Sequence, residues 1–363
     1  MGGRDTDAVT RAMAFADAVA AGPGAPGPAL AGRTRGLVHA LAAAALEVED
    51  LPRAREPSMF EDGTPVGFSW QTGAAGYVRM LVEPGGLALD LPRQIDRSLQ
   101  VLGRLLAEQG WETCGRDVLD VARGVYPRDP RDLATWWGGM WLGTAAGPDG
   151  ADLRVYLNLR SGTLAARWQR VVDVLLGRAD GDFERCFGQF IDRCVEATAV
   201  PVGLGLVLAG GRLRAVRVYQ GLERADEVGV AASIPTALRD GAEDAVLAPL
   251  RALVADHGRP GAQGVTVAHD FHVEDGVLRS VPRRVKVDVN CRWYVAQDAD
   301  GFEEWLLGTL DEPDRARLAG FATLLAEHFT GAQLDYCSLG CDTRGVRHRT
   351  VYAQPLGLDA GGW

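Results

Sequence analysis

Arginine and tyrosine recur two residues apart in this chain, as Arg154-Val155-Tyr156, Arg217-Val218-Tyr219 and Arg292-Trp293-Tyr294, each late in a run rich in apolar, β-branched residues. On a β-strand two such residues share a face, so each run offers a cation beside a phenol on one side. The stretch Arg283–Ala296 shows the pattern at its fullest. Val285, Val287, Val289, Cys291, Trp293 and Val295 alternate with Lys286, Asp288, Asn290, Arg292 and Tyr294. One strand of this kind would turn its polar face to water. Three strands with the same pair, and Arg79 as an earlier cation, imply a shared polar interior suited to a polyanion and to something cationic or aromatic.

The elements that must carry these residues read as five hairpins. They pair Thr64–Gln71 with Tyr77–Glu83, Trp136–Ala145 with Leu153–Leu159, and Val202–Leu208 with Leu213–Gln220. The fourth joins Val265–Glu274 through Asp275-Gly276 to the long alternating strand, and the fifth pairs Leu334–Gly340 with Arg347–Gln354. Gly-rich or Asp-Gly turns separate the partners. Between hairpins the apolar spacing is helical, at Leu91–Gln109, from Arg116 to Arg123, Leu164–Arg178, Asp182–Ala197, Ser233–Asp256 with a break at Pro235, Asp300–Leu310 and Glu312–Phe329. A helical lead-in, residues 1–59, precedes the hairpins, which belong to a unit of residues 60–363 in what reads as one globular body.

A ββαα repeat of short-turned hairpins requires antiparallel neighbours. Ten such strands with intervening helices bury both faces only if the sheet closes and the helices pack outside. The fold class expected is therefore α/β: a closed ten-stranded antiparallel barrel ringed by helices, with a lumen too wide for side chains alone to fill.

The 363 residues carry a net charge of −10, which argues against nucleic acid or an anionic membrane surface as partner. The six cysteines form no CxxC pair, and Cys337 and Cys341 have no histidines at zinc-site spacing, so they read as buried free thiols. No apolar run has the length of a membrane span, and the N-terminus lacks a signal-peptide layout, so the chain reads as cytoplasmic, a monomer or weak homodimer.

These residues resemble the ABBA-fold aromatic prenyltransferases, in particular the indole, dimethylallyltryptophan synthase-like branch. The carriers are Gly63-Thr-Pro-Val66 with Phe68-Ser69, Val78-Arg79 with Val82-Glu83-Pro84, the three Arg-x-Tyr pairs, and Thr350-Val-Tyr352-Ala-Gln-Pro355, covering residues 60–355. The resemblance implies an allylic diphosphate as co-substrate, held by Arg and Lys without an Asp-rich magnesium motif, and tyrosines that shield a carbocation. No cofactor, and no essential Mg²⁺, is implied; this chain has no DDxxD.

Physical chemistry supports the same reading. An allyl–oxygen bond ionises only if the charge developing on the diphosphate is stabilised, and arginine's fork suits phosphate oxygens. Arg79, Arg154, Arg217, Lys286 and Arg292 are the candidate diphosphate ligands. Tyr156, Tyr219, Tyr294 and Tyr352 would stabilise the allyl cation through their ring faces and exclude water.

One position departs from the resemblance. Where the indole branch carries a glutamate base, this chain has Gly67. Glu61, Asp62 and Asp288 are candidate substitutes, with Asp288 equally readable as an ion-pair partner of Lys286 or Arg292; otherwise the acceptor needs no such base. Gly67, Ser69, Glu61 and Trp141 form the expected acceptor side, although the Trp136-Trp137-Gly-Gly-Met140-Trp141 cluster also reads simply as barrel packing. His269-Asp-Phe-His272 reads as a surface hairpin. His348, in phase with Tyr352, is able to reach the lumen but reads as non-catalytic.

The expected activity is transfer of a short prenyl group, dimethylallyl before longer ones, to an electron-rich aromatic ring, an indole or tryptophan derivative, in secondary metabolism. The alternatives are cyclisation or hydrolysis of a longer prenyl diphosphate on the same barrel, and a non-catalytic barrel that binds an anionic small molecule.

Overall fold

A computed structural model describes residues 10–11, 14–15, 17–18, 36–41, 43, 66–72, 77–84, 90–126, 139–147, 150–176, 183–223, 226–257, 264–290, 299–329 and 331–356. The strands are β1 (Val66–Gln71), β2 (Tyr77–Val82), β3 (Met140–Gly147), β4 (Gly150–Asn158), β5 (Ala199–Ala209), β6 (Arg212–Leu222), β7 (Val265–Glu274), β8 (Val277–Leu278), β9 (Arg284–Asn290), β10 (Gly331–Asp342) and β11 (Arg347–Leu356). Their order is β6-β5-β4-β3-β2-β1-β11-β10-β9-β7, and β7 pairs back onto β6. Ten antiparallel strands thus close a barrel, as expected, while the two-residue β8 pairs with β7 alone, outside the ring.

The barrel turns its apolar faces outward. Val66, Phe68 and Trp70 of β1, Leu204, Leu206 and Leu208 of β5, and Val285, Val287 and Val289 of β9 are all buried. They join one core with Leu102, Leu105 and Leu106 of helix Leu91–Glu108 and with Phe187 and Phe190 of helix Phe183–Glu196. Burying one such side chain contributes about 1.5–3 kcal/mol. Because this seam between sheet and helices supplies the cohesion, the inner faces are free to be polar.

Local sequence sets the helix starts. Asp90 accepts the Arg93 N–H at 3.0 Å and Asp311 accepts that of Asp314 at 2.9 Å, each just before a proline in the first turn. The Gly210-Gly211 turn takes φ of 57° and 70°, which the tight β5–β6 hairpin requires. The helical region with its break at Pro235 is present: after the break it runs without a gap as a 3₁₀ turn at Thr236–Leu238, helix Arg239–Ala242, a π turn at Glu243–Leu247 and helix Ala248–His257, with helix Glu227–Ser233 before it. Pro249 lacks the N–H that a regular helix needs there, and Gly241 lies where a Cβ would approach Gly345 Cα at 3.3 Å.

The described residues between 10 and 18 and between 36 and 43 are helical, and Phe15 packs on Phe68 of β1 with ring centroids 4.4 Å apart. No helix among the described residues is long and apolar enough to cross a membrane.

Candidate active site

Strand register decides which side chains meet inside the barrel. Arg79 on β2 lies opposite Ser69 on β1, and Ser69 opposite Tyr352 on β11. Gly205 on β5 faces Tyr156 on one side and Arg217 on the other. Asp270 on β7 stands between Arg217 and Arg284, while Lys286 on β9 stands beside Gly340, which in turn faces His348.

Towards the hairpin turns the lumen holds a tier of cations. Arg217 is gripped at two nitrogens by Asp270, with Nη2 to Oδ2 at 2.6 Å. Arg154 Nη2 donates to Asp152 Oδ2 at 2.7 Å, and Arg79 donates to the Gln71 side chain. Burial and the Arg154 charge lower the pKa of Arg79; burial, together with Arg217, Arg79 and Arg154, brings Arg284 down to about 10 against the pull of Asp270. Asp270 is held far below the usual carboxylate range, because Arg217 outweighs its burial. Three donors are left over. Arg79 Nε, Arg154 Nη1 and Arg284 Nε are buried without a hydrogen-bond partner among the described residues. An unmade charged bond of this kind is costly unless something anionic completes it.

Next to the cations lies an aromatic tier. The Tyr156 and Tyr219 rings are 6.1 Å apart at 51°, and those of Tyr336 and Tyr352 are 6.4 Å apart at 81°. Lys286 Nζ sits 5.9 Å from the Tyr219 ring centre and 5.1 Å from that of Tyr352, and donates to the Tyr352 hydroxyl at 2.8 Å. Burial raises the Tyr219 phenol, whereas Lys286 and Arg79 outweigh burial and lower that of Tyr352. Leu81 and Trp141 form a small apolar cluster with Tyr156 and Tyr352, separate from the main core. The site therefore joins a multiply cationic patch to ring faces that favour positive charge and exclude water.

No protein-family model matches the sequence, and no curated protein matches it. Solved structures do. The 5-dimethylallyltryptophan synthase of Streptomyces coelicolor aligns over 95% of this chain and 96% of its own, with TM-score 0.70 at 19% identity. The 6-dimethylallyltryptophan synthase of Micromonospora olivasterospora, solved in complex with DMASPP and Trp, aligns over 97% of each chain with TM-score 0.67 at 19% identity. AnaPT from Neosartorya fischeri covers 98% of this chain, with 95% of its own chain aligned, at TM-score 0.65 and 12% identity. The chain has the fold of these proteins.

Within this barrel the structure brings together Arg79, Arg154, Arg217, Lys286, Tyr156, Tyr219 and Tyr352, with Asp288, Ser69 and Trp141. Gly67 lies opposite Leu81, two residues from Ser69 and so on the lumen side of β1. Arg292, Tyr294, Glu61 and Asp62 lie outside the described residues, as do Trp136 and Trp137. Asp288 Oδ1 binds Lys286 Nζ at 2.8 Å and accepts from Ser338, which matches the ion-pair reading of that residue.

The motif reading missed Arg284, Asp270, Asp152 and Gln71. The signal for Arg284 was available, since it shares the alternation phase of Lys286 and Asp288. Asp270 was hidden in a stretch read as a surface hairpin, and this is corrected: His269 and Phe271 are fully buried and Asp270 is 4% exposed. The reason is β7's place between β6 and β9, under helix Phe183–Glu196, where Phe190 lies 5.0 Å from His269 and 5.3 Å from Phe271.

Proposed function

We propose that this chain is an aromatic prenyltransferase that transfers a dimethylallyl group, or a longer prenyl group, from its diphosphate to an electron-rich ring, an indole or tryptophan-derived compound, in secondary metabolism. The observation that carries the reading is the set of unpartnered donors on Arg79, Arg154 and Arg284, buried in a lumen walled by Tyr156, Tyr219 and Tyr352. In the reaction the allyl C–O bond breaks with its electron pair going to the diphosphate, whose charge the arginines and Lys286 neutralise. The allyl cation forms against the tyrosine faces, the ring carbon attacks it, and the ring proton passes to the released diphosphate or to water, which restores aromaticity. Strand-borne cations at this density take the part of a metal counter-charge, so the reaction is proposed to be metal-independent. A simple anion-binding barrel has no use for the interleaved tyrosines.

The test is a product assay with C5, C10 and C15 diphosphates against a panel of indoles and phenols, with and without EDTA. A C-prenylated indole formed from the C5 donor, undiminished by chelator, is the expected result. Prenyl alcohols or cyclised chains as sole products would move the chain to a hydrolase or cyclase, and activity lost to EDTA but restored by Mg²⁺ would overturn the metal-independent clamp.

A further inference from the structure

His348 occupies the lumen face of β11, one bare glycine away from Lys286: Gly340 separates them across β10, and a Cβ there would meet Val285 O at 2.9 Å. The charged groups that act on it are Arg284 of β9, Arg79 of β2, and Asp342 and Arg344 from the end of β10 and its turn, with His348 Nε2 3.9 Å from Asp342 Oδ2. The histidine thus borders the same cation tier whose donors are unpartnered. Building on the diphosphate reading, we infer that His348 is a diphosphate-binding residue that is neutral in the empty barrel and takes up a proton when the diphosphate arrives.

The physical basis is that a sixth lumen cation would be repelled by the arginines already there. Burial, then Arg284, with Arg344 and Arg79 adding to it, brings the imidazole down to about 4 although Asp342 pulls the other way. A diphosphate carries roughly three negative charges, and one opposite charge within a few ångströms moves a pKa by about 1–3 units. Together these suffice to lift His348 through neutrality. The imidazolium then adds a donor and a positive charge only when there is an anion to receive them, while the free site avoids the added repulsion.

The experiment is titration calorimetry of the whole protein with inorganic pyrophosphate at pH 7, in two buffers of different ionisation enthalpy, for the wild type, His348→Asn and His348→Gln. The wild type is expected to take up close to one proton more than either variant, and to gain roughly fifty- to a hundredfold more affinity than they do between pH 8 and pH 6. Equal proton uptake in all three proteins overturns the role of His348 while leaving the diphosphate site standing. Absence of pyrophosphate binding in every protein overturns both.

Discussion

Arg217 and Asp270 face each other directly across β6 and β7, and the carboxylate grips the guanidinium at two nitrogens with both groups buried. The pair fixes one cation of the tier, while Arg217 Nη1 remains close enough to the Tyr219 hydroxyl to donate at 3.2 Å.

Breaking this pair from either side should affect stability as well as activity. Asp270→Ala leaves Arg217 buried without its counter-charge and is expected to cost on the order of 3–5 kcal/mol, read from denaturant unfolding. Arg217→Lys keeps the charge but not the fork, and should fold while prenyl transfer falls roughly ten- to a hundred-fold. Normal unfolding of Asp270→Ala would show that the pair is not desolvated.

Gly205 lets two tyrosines close on the lumen. A Cβ at this position would lie 3.2 Å from Tyr219 Cε2, 3.3 Å from Arg217 Cβ and 3.8 Å from Tyr156 Cδ1. Gly205→Ala should therefore push the Tyr219 ring aside and let water reach the cation, raising the ratio of prenyl alcohol to prenylated acceptor several-fold. Pyrophosphate binding should change little. An unchanged product ratio would mean that the rings do not shield the reacting carbon.

Glu83 provides a stability test that is independent of activity. It follows β2, accepts from Gln94 Nε2 at 2.6 Å, and burial raises its pKa to about 8 from an ordinary 4.5. The folded protein thus retains a proton that the unfolded chain releases, so stability falls as pH rises from 4.5 through 8. Glu83→Gln, which is always neutral, should match the wild type near pH 5 and exceed it by on the order of 3 kcal/mol at pH 9. Tm curves that stay parallel from pH 5 to pH 9 would refute this.

Gly67 is where the chain departs from the family it resembles. With Leu81 opposite and Ser69 two residues along, Gly67→Glu would project a carboxylate into the lumen near Trp141. A well-placed base contributes about 10²–10⁴-fold, so the variant should gain turnover on tryptophan-like indoles and lose it on bulkier acceptors. A variant that treats every acceptor as the wild type does would show that no proton is accepted from this position.

Alternation and turn length made the repeat, the closure and most of the cations readable from the residues alone. Period-two alternation states which residues share a strand face, and short turns force antiparallel neighbours, so Arg79, Arg154, Arg217 and Lys286 were legible without coordinates. What these patterns did not determine is which side chains answer one another across strands. Asp270 reaches Arg217 over 53 residues of chain, and Lys286 reaches Tyr352 over 66, through registers set by closure of the ring rather than by local pattern. The same limit explains the misread β7. A strand with His269 on its outer face and Asp270 and His272 on its inner one looks solvated until β6, β9 and a helix are laid against it. That these polar groups are buried follows from the assembled barrel, because burial depends on what the rest of the chain brings to the same place.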